Sequence, residues 1–371
     1  MTWSLEREYS GRLARVVDSM RHNGVDFLVL PVSVNQAYVS GLALKKSERL
    51  TAVVVSSKGT AWVLFPAFET SRIDQQLVLS DASRLDWKED EDPYARLAAG
   101  IPLRGKPTIG LEGTGWFSEY RRLAEAIPAA SFVSADPILG PLRERKSPWE
   151  ITCIEQAIST IDDARDAVLA GVSEGTSEMD ACEALRREAI SRGGDNPSPH
   201  GFHVGRNSGI PHGGKEDLSI RRGSVILVDA GVFVNGYKSD ITRTTSFGAP
   251  PAGFEEVFSV VLEAQKAALA AVRPGIISGS LDRLAREVIE QAGLGERFPH
   301  RLGHGLGLQV HEPPWIGPGE LRPLEEGMVF TVEPGVYFDG RYGIRIEDNV
   351  AVTQDGCRIL SKPITEFVTI G

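Results

Sequence analysis

Residues 223–236, GSVILVDAGVFVNG, and residues 327–340, GMVFTVEPGVYFDG, carry one pattern twice. Gly223, Gly231 and Gly236 match Gly327, Gly335 and Gly340, Val225 and Val228 match Val329 and Val332, and Asp229 matches Glu333. Each stretch is apolar and β-branched and ends on an Asn-Gly or Asp-Gly turn signal, so two related hairpins are expected. A two-residue turn at Asn235-Gly236 sets Asp229 opposite Thr242. It also places Asp240 on the same face, diagonal to Asp229 at about 7–8 Å. In the second hairpin a three-residue loop over Asp339, Gly340 and Arg341 sets Glu333 opposite Glu347. A two-residue loop would send them to opposite faces, and the longer loop is the expectation.

Four acids converging from two hairpins repel one another unless cations lie between them. Any one of them alone would read as an ordinary strand acid, or in Asp229 as a turn cap. Duplication of the acid within an apolar setting favours metal ligands. A fifth ligand is available in FPHRLGHGLGLQVHEPPWI, residues 298–316, where His304 stands between two glycines that let the backbone approach a crowded site. Asp229, Asp240, His304, Glu333 and Glu347 together suit two divalent cations, Mn ahead of Co, Zn or Fe. Paired ions about 3.5–4 Å apart lower the pKa of a bridging water and polarise a carbonyl, which is hydrolytic chemistry. Six of the seven histidines fall between residues 200 and 311. Among them His212, in the turn-rich GRNSGIPHGG, and His311 can donate to a developing oxyanion. His22 and His203 read as surface or packing residues, and His200 is open between the two readings.

Around this centre the chain has 371 residues, more than one domain usually holds. Hydrophobic residues at 42% and charged residues at 24% mark a folded globular protein rather than a disordered or membrane-embedded one. The net charge of -10 and the lack of basic runs argue against nucleic acid as a partner. Three scattered cysteines indicate neither a disulfide framework nor a thiolate zinc site, which fits a reducing cytoplasm. The charged amino-terminal stretch and the absence of a long apolar run lead to the expectation of neither export nor membrane insertion.

Tyr9, Leu13, Val16, Val17 and Met20 recur at helical spacing, and VDFLVLP, TAVVVSS, TAWVLFP and PTIGLE read as strands, so an α/β domain is expected over residues 1–138. The Pro- and Gly-containing stretch DPILGPLRERKSPWE marks the boundary. Over residues 139–371 an α+β domain is expected. One long helix there is marked by Ile151, Ile154, Ile158 and Ile161, and a second by Met179, Cys182, Leu185 and Ala189. Two more cover residues 255–272 and 280–292.

GRNSGIPHG, VDAGVFVNGYKSDITRT, HRLGHGLGLQVHEPPW and TVEPGVYFDGRYGIRIED, in this order and spacing, resemble the motifs of the pita-bread metallopeptidase family. That family holds prolidase, aminopeptidase P, methionine aminopeptidase and creatinase. SVNQAYVSGLALKKSERLTAVVV is similar to the creatinase-type amino-terminal domain, which methionine aminopeptidases generally lack. The resemblance implies a pita-bread catalytic domain with pseudo-twofold hairpins and the same five metal ligands. It further implies that His212 and His311 bind or polarise the scissile peptide and that Glu333 handles the proton of the water. By the same resemblance His300, Arg345 and Tyr237 are substrate-binding positions, Tyr237 shaping the site, while Thr242 supports it. Creatinase lacks the metal ligands that this chain keeps. GFHVGRNSGIPHG is compressed relative to the common prolidase form, which bears on the choice of peptide.

The expected function is therefore hydrolysis of the bond before proline, as an Xaa-Pro dipeptidase or an aminopeptidase P, by a homodimer. Two other readings stand beside it. One is hydrolysis or lyase chemistry on a small metabolite such as an ectoine-like compound, and the other is a non-catalytic peptide- or protein-binding module.

Overall fold

The computed structural model describes residues 4–371, apart from the side chains of Pro199 and His200, so the open question of His200 lies outside the described residues. The chain divides into two compact units, one ending at Arg143 and the other running Glu144–Gly371. The helix Asp136–Glu144 spans the expected 138/139 division without a break, with Pro141 inside it.

The first unit is built on a six-stranded sheet in the order Ser83–Trp87, Ala61–Pro66, Ala52–Ser56, Phe27–Pro31, Thr108–Leu111, Ser131–Ser134. Its centre is antiparallel, with Phe27 opposite Ser56 and Ala52 opposite Leu64, and both flanks are parallel. The three central strands are buried along their whole length, which is why they read as unbroken apolar runs rather than alternating ones. Ser4 caps the first helix, Leu5–His22, by accepting from the Arg7 N–H at 3.3 Å, and Tyr9, Val16, Val17 and Met20 form its buried face.

In the second unit two helices followed by a hairpin occur twice. The first set is Pro148–Gly171, Glu178–Ser191 and the strands Ser224–Val234 and Ile241–Phe247. The second is Phe254–Ala271, Ser278–Gln291, and a long hairpin made of Val329–Val332 with Gly335–Phe338 and Tyr342–Arg345 with Asp348–Val352. Each set packs its own core: Ile154, Ile158 and Ile161 against Val228 and Val232 in one, Phe258, Val261 and Leu281 against Phe330 and Val332 in the other. Every such fully buried aliphatic or aromatic side chain contributes about 1.5–3 kcal/mol. Ser147 and Glu150 form a capping box that starts the first long helix. The buried stripe of Glu178–Ser191 runs through Ala181, Leu185 and Ala189, while Met179 faces solvent at 69% exposure. Among the described residues no helix is long and apolar enough to cross a membrane.

Both hairpins hold one register from end to end. In the first, Ser224 pairs with Phe247, Asp229 with Thr242 and Val234 with Tyr237. Asn235 and Gly236 form its two-residue turn at φ 51° and 82°, the left-handed region that Asn and Gly tolerate. In the second, Val332 pairs with Asp348 and Phe338 with Tyr342, leaving the three residues Asp339, Gly340 and Arg341 as the loop. Glu333 and Glu347 fall opposite each other where the two halves of that ladder meet.

Candidate metal centre

The two hairpins meet along a seam of side chain to backbone bonds. Thr244 Oγ1 donates to the Arg345 carbonyl at 2.9 Å and accepts from the Arg345 N–H at 3.1 Å, while the Glu347 N–H donates to the Thr242 carbonyl at 3.1 Å. The Asn349 side chain donates to the Asp240 carbonyl, again from one hairpin to the other. Gln265, on the helix behind, donates to the Val332 and Ile346 carbonyls at 3.3 and 3.2 Å and fixes both strands next to Glu333 and Glu347. The seam converts two sequence-distant carboxylate pairs into a single cluster.

His304 enters from the short strand Gly303–Gly305. A Cβ at Gly303 would stand 1.9 Å from the Thr331 carbonyl oxygen, so only glycine allows this approach. The imidazole Nδ1 faces the Gly305 carbonyl at 3.1 Å; a carbonyl only accepts, so Nδ1 carries a proton whether or not Nε2, which points at the acids, carries a second. Nε2 lies 3.3 Å from Glu333 Oε1 and 3.7 Å from Asp240 Oδ2. Three sets of donor atoms lie within 4.8 Å of one another: Asp229, Asp240 and Glu347; His304, Glu333 and Glu347; Asp240, His304 and His311.

Burial, and next the Asp229 charge, push Asp240 up to about 7. Burial and the charge of Asp240 drive Glu347 well above the usual carboxylate range. Burial would raise Glu333 too, but its hydrogen bond and ion pair with His304 outweigh this and hold it at about 2. Asp240 Oδ1 and Glu347 Oε1 are buried without a hydrogen-bond partner among the described residues, a costly arrangement for carboxylates. The donor set therefore fits divalent cations: oxygens and one imidazole, crowded and largely buried, with two carboxylate oxygens that no protein donor reaches among the described residues. Protons compete for the same oxygens. Mn²⁺ uptake by metal-free protein should weaken as pH falls through about 7, with proton release on binding. Calorimetric titration at about pH 6 and about pH 8 in buffers of different ionisation enthalpy measures both, and pH-independent uptake would contradict the assignment.

These groups line a cavity of about 300 Å³ together with Pro211, His212, His300, Arg301, His311 and Arg345. His212 and His311 are exposed, and the His311 ring lies 4.1 Å from that of His304. The loop between His304 and His311 is closed by Glu312, whose carboxylate pairs with buried Lys146 at 3.1 Å. Thr242, opposite Asp229, donates to Glu347 Oε2 at 2.6 Å and accepts from Arg345 Nε at 3.0 Å, which is a supporting place.

The structure bears on three expected substrate positions. Tyr237 does not line the cavity: it is 1% exposed, donates to Glu150 Oε1 at 2.7 Å and packs edge-on against Trp149. It lies an odd number of residues from Asp240, so strand alternation sends it to the helix side. Arg345 does line the cavity, but its donors are engaged, by Asp229 Oδ2 at 2.5 Å, Thr242 Oγ1, Tyr337 Oη at 2.7 Å and the Pro211 carbonyl at 3.2 Å. His300 gives Nδ1 to the Arg301 carbonyl at 2.8 Å and takes the Tyr337 hydroxyl on Nε2 at 2.9 Å. Burial lowers its pKa, in keeping with a neutral ring. Tyr337, which bridges Arg345 and His300, was legible by alternation, since it lies an even number of residues from Glu333. His203 is buried, and burial brings its pKa down to about 4.

The model of metallopeptidase family M24 matches residues 152–354, and that of the creatinase/prolidase N-terminal domain matches residues 12–145. The probable dipeptidase PepE of Mycobacterium tuberculosis is 34% identical over 367 residues, covering 98% of this chain and 96% of that protein. The Xaa-Pro dipeptidase of Pyrococcus furiosus is 33% identical over 358 residues, covering 96% and 99%. The dipeptidase PepE structure from Mycobacterium ulcerans superposes with a TM-score of 0.90 at 31% identity over the full length of both chains. The doubled helix-and-hairpin unit, the carboxylate cluster at its seam and these matches lead to one assignment: the chain belongs to metallopeptidase family M24, with a creatinase-type N-terminal domain followed in sequence by a pita-bread catalytic domain.

Proposed function

We propose that this enzyme hydrolyses the bond before proline in Xaa-Pro dipeptides, with two divalent ions, Mn first, held by Asp229, Asp240, His304, Glu333 and Glu347. The observation that carries the reading is the joining of these five groups with His212 and His311 around a cavity of about 300 Å³, at the small end of ligand sites and of dipeptide scale. The Xaa-Pro dipeptidase of Pyrococcus furiosus, alike over nearly the whole chain, supports it. Divalent ions bound there would polarise the scissile carbonyl and make water a better nucleophile at neutral pH.

The chain's own residues do the rest. Hydrolysis adds hydroxide to the acyl carbon and a proton to the prolyl nitrogen. Glu333 Oε1 is engaged by Thr331 at 2.9 Å and by His304, which leaves Oε2 to take the proton of the attacking water. His212 and His311 present exposed rings to the cavity, where they donate to the carbonyl oxygen as charge develops on it. A prolyl amide has no N–H, so recognition falls on the pyrrolidine ring and the terminal charges.

Purified enzyme with added Mn or Co should show its highest kcat/KM on Xaa-Pro, in a panel that includes Xaa-Pro-Yaa, Xaa-Ala, creatine and ectoine. Preference for Xaa-Pro-Yaa moves the assignment to an aminopeptidase P. Turnover of creatine or ectoine alone would replace the peptide reading with a metabolite one, and no turnover at all would favour a binding module.

A further inference from the structure

We propose that Arg301 recognises the free carboxylate of the dipeptide, and that Trp315 is the platform that aims it. The inference rests on the peptidase reading above and deepens it. An Xaa-Pro dipeptide carries its carboxylate one residue beyond the scissile bond, so the cavity wall must supply a cation that is not already neutralised.

The cationic and imidazole groups lining the cavity differ in this respect. Arg345 has four of its five N–H hydrogens committed to Asp229, Thr242, Tyr337 and Pro211. His300 has both ring nitrogens bonded. Two parallel bonds to a carboxylate at Arg345, or any bond at His300, would mean displacing an internal partner. Arg301 lines the same cavity, is half-buried, and among the described residues its guanidinium has neither a carboxylate nor a carbonyl partner. It lies instead over the Trp315 ring, 4.2 Å from the centroid.

That stack is built by the local backbone. Arg301 and Trp315 stand on the two arms of the hairpin whose strands pair Gly303 with Ile316 and His304 with Trp315. Gly317 clears the path of the Arg301 stem: a Cβ there would lie 2.9 Å from Arg301 Cβ and 3.8 Å from Cδ. With its central carbon held against the aromatic face, the guanidinium keeps N–H groups that can meet a planar acceptor. A carboxylate is such an acceptor and can take two parallel bonds at once. His304, the cross-strand partner of Trp315, keeps the carboxylate site in fixed relation to the metal ligands.

The test compares Xaa-Pro with the same Xaa-Pro amide, whose terminus is neutral, and reads the ratio of their kcat/KM values. Arg301→Gln should lower that ratio about 100-fold, the loss expected when one partner of a charge pair is truncated. Arg301→Lys should restore only part of it, since an ammonium neither forks nor stacks in the same way. Trp315→Leu should lower the ratio less, through KM. Binding without turnover gives a second readout: competitive inhibition by free proline should weaken in Arg301→Gln by more than inhibition by prolinamide. An unmoved ratio in Arg301→Gln, with both substrates losing the same factor, would overturn the proposal. So would collapse of the ratio in an Arg345 variant alone. Failure of the peptidase reading is distinguishable, because the unsubstituted enzyme would then cleave neither substrate.

Discussion

Asp240→Asn should reduce bound metal from two ions per chain to one or fewer and lower turnover by about 10³-fold or more, since metal polarisation is worth several kcal/mol in the transition state. Asp240 stands in two of the three donor sets and is 5% exposed, so its loss takes a ligand from both. Elemental analysis after gentle purification, together with kcat on Xaa-Pro, checks both halves. His212→Ala is the control: its ring lies on the cavity wall outside the donor sets, so metal should be retained while turnover falls. Equal metal loss in the two variants would show His212 to be a ligand, and one ion per chain with full activity would rule out the dinuclear centre.

The same variant should have the opposite effect on metal-free protein. Folded Asp240 binds its proton up to about 7, whereas an unfolded aspartate does so only up to about 3.8. Its contribution to stability is therefore fully present below the unfolded value and is lost as pH rises through about 7. Above that pH metal-free Asp240→Asn should melt higher than the metal-free parent, because it removes a buried charge. A lower melting temperature for the variant at about pH 8 would count against the crowded-carboxylate account.

Arg345→Ala should be the second severe change, acting on stability as well as catalysis. Removing the guanidinium leaves Asp229 without its 2.5 Å partner and frees Thr242 and Tyr337 from a common donor in a buried place. Breaking such a pair by deleting one side costs about 3–5 kcal/mol. For a unit of this size that corresponds to a fall in Tm of roughly 6–20 °C. Turnover of Xaa-Pro and of its amide should drop together, because the loss reaches substrate through Asp229 and the metal rather than through the substrate's charge. A penalty confined to the charged dipeptide would restore Arg345 to the direct contact that the motif implied. Melting curves with and without Mn²⁺ separate the structural part from the metal-dependent part, since ions at Asp229 would offset the missing cation.

Much of the centre could be read from the chain because it depends on short-range rules. Strand alternation and turn length alone decide that Asp229 faces Thr242 and that Glu333 faces Glu347. Both are local geometry, and both registers follow from the residues in the turns. Glycines on either side of His304 announce a close approach, which Gly303 bears out, since a Cβ there would lie 1.9 Å from the Thr331 carbonyl oxygen. The same rule, applied strictly, would have removed Tyr237 from the substrate contacts and added Tyr337, since their offsets from Asp240 and Glu333 differ in parity.

Only the tertiary structure decided how the cationic groups are used. A motif marks Arg345 and His300 as near the substrate, but whether a guanidinium N–H is free depends on which acceptors other segments bring to it. Asp229, Thr242 and Pro211 come from more than 100 residues away and take up Arg345. Arg301 looks like any charged residue in a loop until the hairpin sets it over Trp315, with no acceptor of its own among the described residues. Sequence carries the neighbours along a strand because backbone geometry is periodic. Hydrogen-bond partners between hairpins follow no period, so they are settled only when the two cores pack and the seam closes.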